Sequence, residues 1–218
     1  MPSYSRLSRT ALLSVATPLI LSARRNRTED LVLSAADAAE LARLELEASL
    51  RGRRVVGVEL SAAAAAAMAT EDSLDRRVVA LSRALGGLAD LGDGESELVR
   101  DQLFPKGAGE LVRRTGRAQV PEYTMLTDGL AALAEHPALV RLAPYPGALR
   151  ADLLGFIDAL GDKDSTRDGA TGAVRGLVEA ADALRAALQH LDRTVELVSG
   201  GLSSEGYALW AGAARGLG

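Results

Sequence analysis

The sequence predicts an all-α protein: a bundle of six to eight helices with one long heptad-patterned helix near the C-terminus. Three observations carry that expectation. The apolar residues, 48% of the chain, are mostly Ala, Leu and Val, while only 3% of the chain is aromatic. Ala and Leu favour helix, and the aromatic and Ile side chains that strands prefer are scarce. Apolar positions also recur at three- and four-residue spacing along most of the chain. The clearest run is Val174, Leu177, Ala181, Leu184, Leu188, Leu191, Val195 and Val198, a heptad seam of the kind that packs at a shallow angle against neighbours. Beside it stand Val178, Ala180, Arg185, Ala187, Asp192 and Thr194 rather than opposed charges. This helix therefore needs partners on more than one side, as in a bundle within the chain.

The first element is the apolar stretch TALLSVATPLILSA, residues 10–23, set between Arg6 and Arg9 and the cluster Arg24, Arg25 and Arg27. It falls short of the ~20 apolar residues that a membrane-spanning helix needs. A basic start and an apolar middle suit a secretion signal, but Leu-Ser-Ala running into Arg-Arg makes a poor cleavage site. On helical spacing Arg6, Thr10, Ser14, Thr17 and Arg24 share a narrow stripe. Leu12, Leu13, Val15, Ala16, Leu19, Ile20 and Ala23 occupy the rest. That pattern predicts a helix buried on most sides, with Leu12, Leu19 and Ile20 inward. Pro18 either kinks it or starts a second helix capped by Thr17.

Ser34 with Asp37 three residues on resembles a capping box, opening a helix that carries Leu41, Leu44, Leu46 and Leu50. Arg51, Arg53 and Arg54 would suit the C-terminal end of its dipole. Val55, Val56, Val58 and Leu60 read as a strand-like interlude, and Ser61 as the cap of the alanine run 62–67, where two helix backbones could approach closely. Leu74, Val78, Leu81, Leu85 and Leu88 form an amphipathic stripe. Residues 92–118, rich in Gly, Pro and charge, read as a connector holding one or two short helices. Beyond it, Tyr123, Leu126, Leu130 and Leu133 make a helix that His136-Pro137 should end. A turn at Pro144-Tyr145-Pro146-Gly147 leads to a helix with Leu149, Leu153, Phe156 and Leu160 on one face and Gly161 as C-cap. The expected organisation is one domain, 1–218, whose halves 1–91 and 119–218 pack together. LSAADAAEL and LSAAAAAAM echo each other, as Ala-rich segments readily do, and do not define a repeat.

Most familiar chemistries find no support. There is no cysteine, which excludes disulfides and thiolate metal sites and suits a reducing, cytoplasmic setting. All but two of the 25 cationic residues are arginine, a compositional bias that lowers the weight of any single arginine pair. The two histidines, His136 and His190, lack a Glu three residues before them, so the di-metal motif of helical bundles is missing. Asp164-x-Thr166-x-Asp168-Gly169 matches half of a calcium loop, yet Arg175 stands where the closing carboxylate belongs; a polar loop capping the long helix is the expectation. Lys106-Gly107-Ala108-Gly109 lacks the ending of a phosphate loop, and GLSSEG at 201–206 lacks a nucleophile elbow. No cofactor and no metal are expected. The net charge of −4 and the scattered arginine pairs give no reason to expect nucleic acid.

What remains is surface. In YALWAGAARGLG, Tyr207, Trp210 and Ala214 fall near one another on a helix, an interaction surface or a helix closing the core. The leading expectation is a non-catalytic helical interaction or structural protein, with self-association or a protein partner as its mode. The alternatives are a small-molecule binder or enzyme with a pocket between helices, and a membrane-associated or exported protein using residues 10–23.

Overall fold

The computed structural model describes residues 4–26 and 29–198. Among the described residues the fold is all-α, with seven α-helices and two short 3-10 helices, Tyr4–Arg6 and Gly116–Gln119, and no strand. The α-helices are α1 (Arg9–Asn26), α2 (Asp30–Asp90), α3 (Gly94–Leu103), α4 (Ala108–Leu111), α5 (Val120–Ala132), α6 (Pro137–Val140) and α7 (Pro144–Val198). No helix among them is long and apolar enough to cross a membrane.

Two helices dominate, and each absorbs several shorter predicted ones. α2 runs without a break through Ser34, Arg51 to Arg54, the interlude at Val55–Leu60 and Ser61. The strand-like interlude is thus helical. β-branched residues cost a helix only a few tenths of a kcal/mol each, and no proline lies between Pro18 and Pro105 to stop propagation. Serines inside a helix point outward instead of capping. α2 ends at a left-handed Gly92, φ 90°. There the amide of Asp93 donates to the carbonyl of Leu88 at 3.2 Å and that of Gly92 to Ala89 at 2.9 Å, the paired bonds that close a helix over glycine.

α7 starts at Pro144, where a missing N–H costs nothing, and runs through Gly161 and the stretch 164–169. Gly161 is therefore no C-cap, and the expected capping loop is helix. Interior glycines cost about 1 kcal/mol each, too little to end a helix anchored on both sides. The segment 92–118 does carry short helices, α3 and α4, and His136 caps α6, its Nδ1 accepting from the Ala138 amide at 3.3 Å.

The chain divides into two compact units, one of residues 1–57 with 169–218 and one of 58–168. The core of the first is built from α1 (Leu12, Val15, Leu19, Ile20), the start of α2 (Val32, Ala35, Ala39, Leu46) and the end of α7 (Leu177, Leu184, Leu188, Leu191). Residues 10–23 form the buried helix expected, with Thr10 and Ser14 on its wet side. α1 continues through Pro18, which is exposed along with Ser14 and Thr17. The carbonyl left without its usual N–H by Pro18 is on that solvent face. Small residues at Ala35, Ala36 and Ala39 keep this core thin, and Val174, the first residue of the heptad seam, lies half exposed.

The second unit packs the later part of α2 (Leu74, Val78, Leu81, Leu85) with α3, α5, α6 and the start of α7 (Leu149, Leu153, Phe156, Leu160). The amphipathic stripes read from the sequence are the buried faces here. Of the alanine run, Ala67 alone is fully buried, while Ala62, Ala65 and Ala66 are exposed, so the run is mostly surface and not a site of close backbone approach.

Candidate interaction surface

α2 carries two apolar seams. The inner one, Leu46, Ala67, Leu74, Val78, Leu81 and Leu85, is buried. The outer one comprises Leu41, Leu44, Ala48, Arg51, Val55, Val58, Ala62, Ala65 and Ala69, positions that alternate at spacings of three and four and are all exposed. Leu41 keeps 69% of its surface, Val55 56% and Val58 68%, too much for residues that merely border a core. Along a helix this stripe measures about 42 Å. Eight of its nine side chains are apolar. Among the described residues nothing in the chain covers it.

Charge flanks the stripe in blocks. Glu40, Glu45 and Glu47 stand beside its first third and Arg54 follows beside its middle, with Arg51 in the stripe itself. Arg43 grips Glu40 through two bonds of 2.7 Å, and this fork holds the Glu40 carboxyl below its ordinary range. Arg43 also reaches Glu47 Oε1 at 2.5 Å, whereas Arg51 lies only loosely at 3.9 Å from Glu47 Oε2. Arg54 has no ion pair among the described residues. In the other arginine pairs Arg24 binds Asp37, Arg77 binds Asp152, and both members of the last are tied, Arg113 to Glu110 and Arg114 to Glu122. They line no common groove.

Among the described residues buried polar side chains stand at three places: Ser96, which donates to Asp93 Oδ2 at 2.7 Å at the start of α3, and one cluster in each unit. In the first unit the Tyr4 hydroxyl donates to Asp192 Oδ2 at 2.8 Å; burial and the neighbouring carboxylate push the phenol's pKa upward. In the second, Tyr123 donates to Asp75 Oδ1, which also accepts from Gln119 Nε2 at 2.9 Å. Burial raises the Asp75 carboxyl above its usual range, with the bonds from Tyr123 and Gln119 opposing. Glu71, one turn away, accepts from the Gly116 amide at 2.7 Å, which ties the left-handed turn at Gly116, φ 63°, to α2. Two clefts of this unit are bordered by neither Asp75 nor Tyr123. One, about 370 Å³, is bordered by Phe104, Leu111 and Met125. An open one of about 570 Å³ is bordered by Ser73, Arg76, Arg77 and Tyr145. Neither gathers a nucleophile with a base.

Tyr207, Trp210 and Ala214, singled out from the sequence, lie outside the described residues, as does the GLSSEG segment. His190 is exposed on α7, and His136 is occupied as a cap. No cluster of three or more metal-ligating side chains occurs among the described residues. Asp164, first residue of the half-matched calcium motif, sits within α7 and pairs with Arg117. Helical backbone there cannot wrap a cation. The outer seam was missed in the sequence because its middle reads as Val-rich strand and its end as undifferentiated alanine; counting heptad positions from Leu41 would have found it. No protein-family model matches this chain, and comparison with curated proteins and with solved structures finds no match either.

Proposed function

We propose that this chain is a helical interaction protein that works by packing another helix against the outer face of α2. The observation that carries this reading is the exposed heptad stripe from Leu41 to Ala69. A contiguous apolar face of this length is uncommon on a protein that has no contact to make, and alternating three-four spacing is the pattern that seats a partner helix. Preorganisation favours it too. α2 is held as a helix before and after the stripe by buried residues at Ala39 and Leu74, so a partner need not pay to order it.

The test is a photoreactive amino acid placed at Glu45 or Glu59, beside the stripe, with Asp101 on α3 as control. Irradiation of cells or extract should give intermolecular adducts from the first two positions and not from the third. Val55→Glu with Val58→Glu should abolish them. Adducts that persist in that variant, or that arise equally from Asp101, would remove the stripe from the function.

A further inference from the structure

We infer that the occupant of the outer seam is a second copy of this chain, its α2 running antiparallel to the first; this rests on the interaction reading above. The charge blocks beside the stripe select the orientation. Consider a pairing with its two-fold axis between Ser49 and Leu50. Leu41 then meets Val58 of the second copy, Leu44 meets Val55, and Ala48 meets Arg51. Larger side chains face smaller ones at each of these layers, the one cation of the stripe lies against alanine, and Ala62, Ala65 and Ala69 run on beyond the apolar part of the pairing.

At the flanks of that same pairing Glu47 faces Arg54 of the second copy, twice by symmetry. Both groups are available. Arg54 has no ion pair among the described residues, and Glu47 keeps one oxygen only loosely held by Arg51. Sliding the pairing by one heptad loses this match: one direction sets Arg54 against Arg54, the other Glu47 against Glu47. A parallel, in-register pair is worse still. It stacks Arg51 on Arg51 in the seam and brings Glu40 beside Glu45. Like charges so placed disfavour a pairing, whereas opposite ones set orientation and register.

Sedimentation equilibrium on the full chain tests this, with circular dichroism confirming that each variant keeps its helix content. The wild type should reach dimer mass by about 100 µM, a modest affinity in keeping with four apolar layers and two that set Ala48 against Arg51. Arg54→Glu should weaken dimerisation at least about tenfold through the like-charge pairs it creates, and Glu47→Arg should do the same. An equimolar mixture of the two variants should recover the dimer, because each then faces the opposite charge. A monomeric wild type, or a dimer indifferent to Arg54→Glu, or a mixture that fails to recover, overturns the proposal. Photo-adducts to a different protein alongside a monomeric mass would sink this inference and leave the interaction reading standing. Loss of both signals would remove the two together.

Discussion

The two seams of α2 are alike in sequence and opposite in fate. The inner seam of Leu74, Val78, Leu81 and Leu85 is covered by the chain's own helices. The outer seam of Leu41, Leu44, Val55 and Val58 is covered by nothing described. Hydrophobic periodicity alone thus says that a helix has a face to bury and not who buries it. The assignment comes from arithmetic over neighbours: a seam answered by apolar residues elsewhere in the chain becomes core, and one left unanswered becomes surface.

That contrast can be broken from the core side first, where the largest effects lie. Removing residues 1–27 takes Leu12, Val15, Leu19 and Ile20 out of the first core. The truncated chain should unfold in that unit or precipitate, as read by circular dichroism and light scattering. An unchanged melt would mean that α1 is dispensable. Next, Leu188→Ala and Leu81→Ala each delete a fully buried side chain and should cost about 2–5 kcal/mol in a denaturant titration. A shift below about half a kcal/mol would show that the seam relaxes freely or is not core.

Smaller is the effect of the half-buried carboxylate of Asp75. The folded state raises the Asp75 pKa, chiefly through burial, so protonated Asp75 is the form the fold prefers. For a carboxyl raised in this way, the stability it contributes is present at low pH. It is lost as the pH climbs from the unfolded value, about 3.9, through the higher folded one. Asp75→Asn keeps an acceptor for Tyr123 and carries no charge. It should match the wild type near pH 3.5 and melt at a modestly higher temperature at pH 7. A gain that is independent of pH, or a loss at pH 7, would contradict the assignment. Least of all in stability should be Val55→Glu with Val58→Glu at dilute concentration, within about 0.5 kcal/mol for each exposed site. The same pair of changes that leaves the monomer alone should abolish its association.

Much of this architecture was legible, and the failures share a cause. The buried face of 10–23, the C-terminal heptad seam and the short helices of 92–118 follow from periodicity and turn residues. Boundaries inside α2 and α7 did not, because Ser34, Ser61, Gly161 and Asp168 are residues that cap or end helices only when nothing favours continuation. Here flanking cores hold both sides, and small local penalties do not interrupt a helix so anchored. The Asp75–Gln119–Tyr123 cluster joins positions more than forty residues apart, and no local motif marks such a contact. The outer seam was present in the letters but masked: alanine contributes little to an apolar signal, and Arg51 interrupts it at the centre. Tyr207 and Trp210 lie outside the described residues, within which the exposed apolar stripe is aliphatic.

The most direct measurement is the distance between two copies of α2 in solution. The chain has no cysteine, so spin labels can be placed singly at Gly52→Cys and at Ala38→Cys, both exposed beside the outer seam's face of α2. Antiparallel packing about the Ser49–Leu50 axis should set the Gly52 labels within about 20 Å of each other and the Ala38 labels about 35 Å apart, from the rise of a helix. Short distances at both positions would mean a parallel pair. No dipolar signal at either would mean that the outer seam of α2 does not join two copies of this chain.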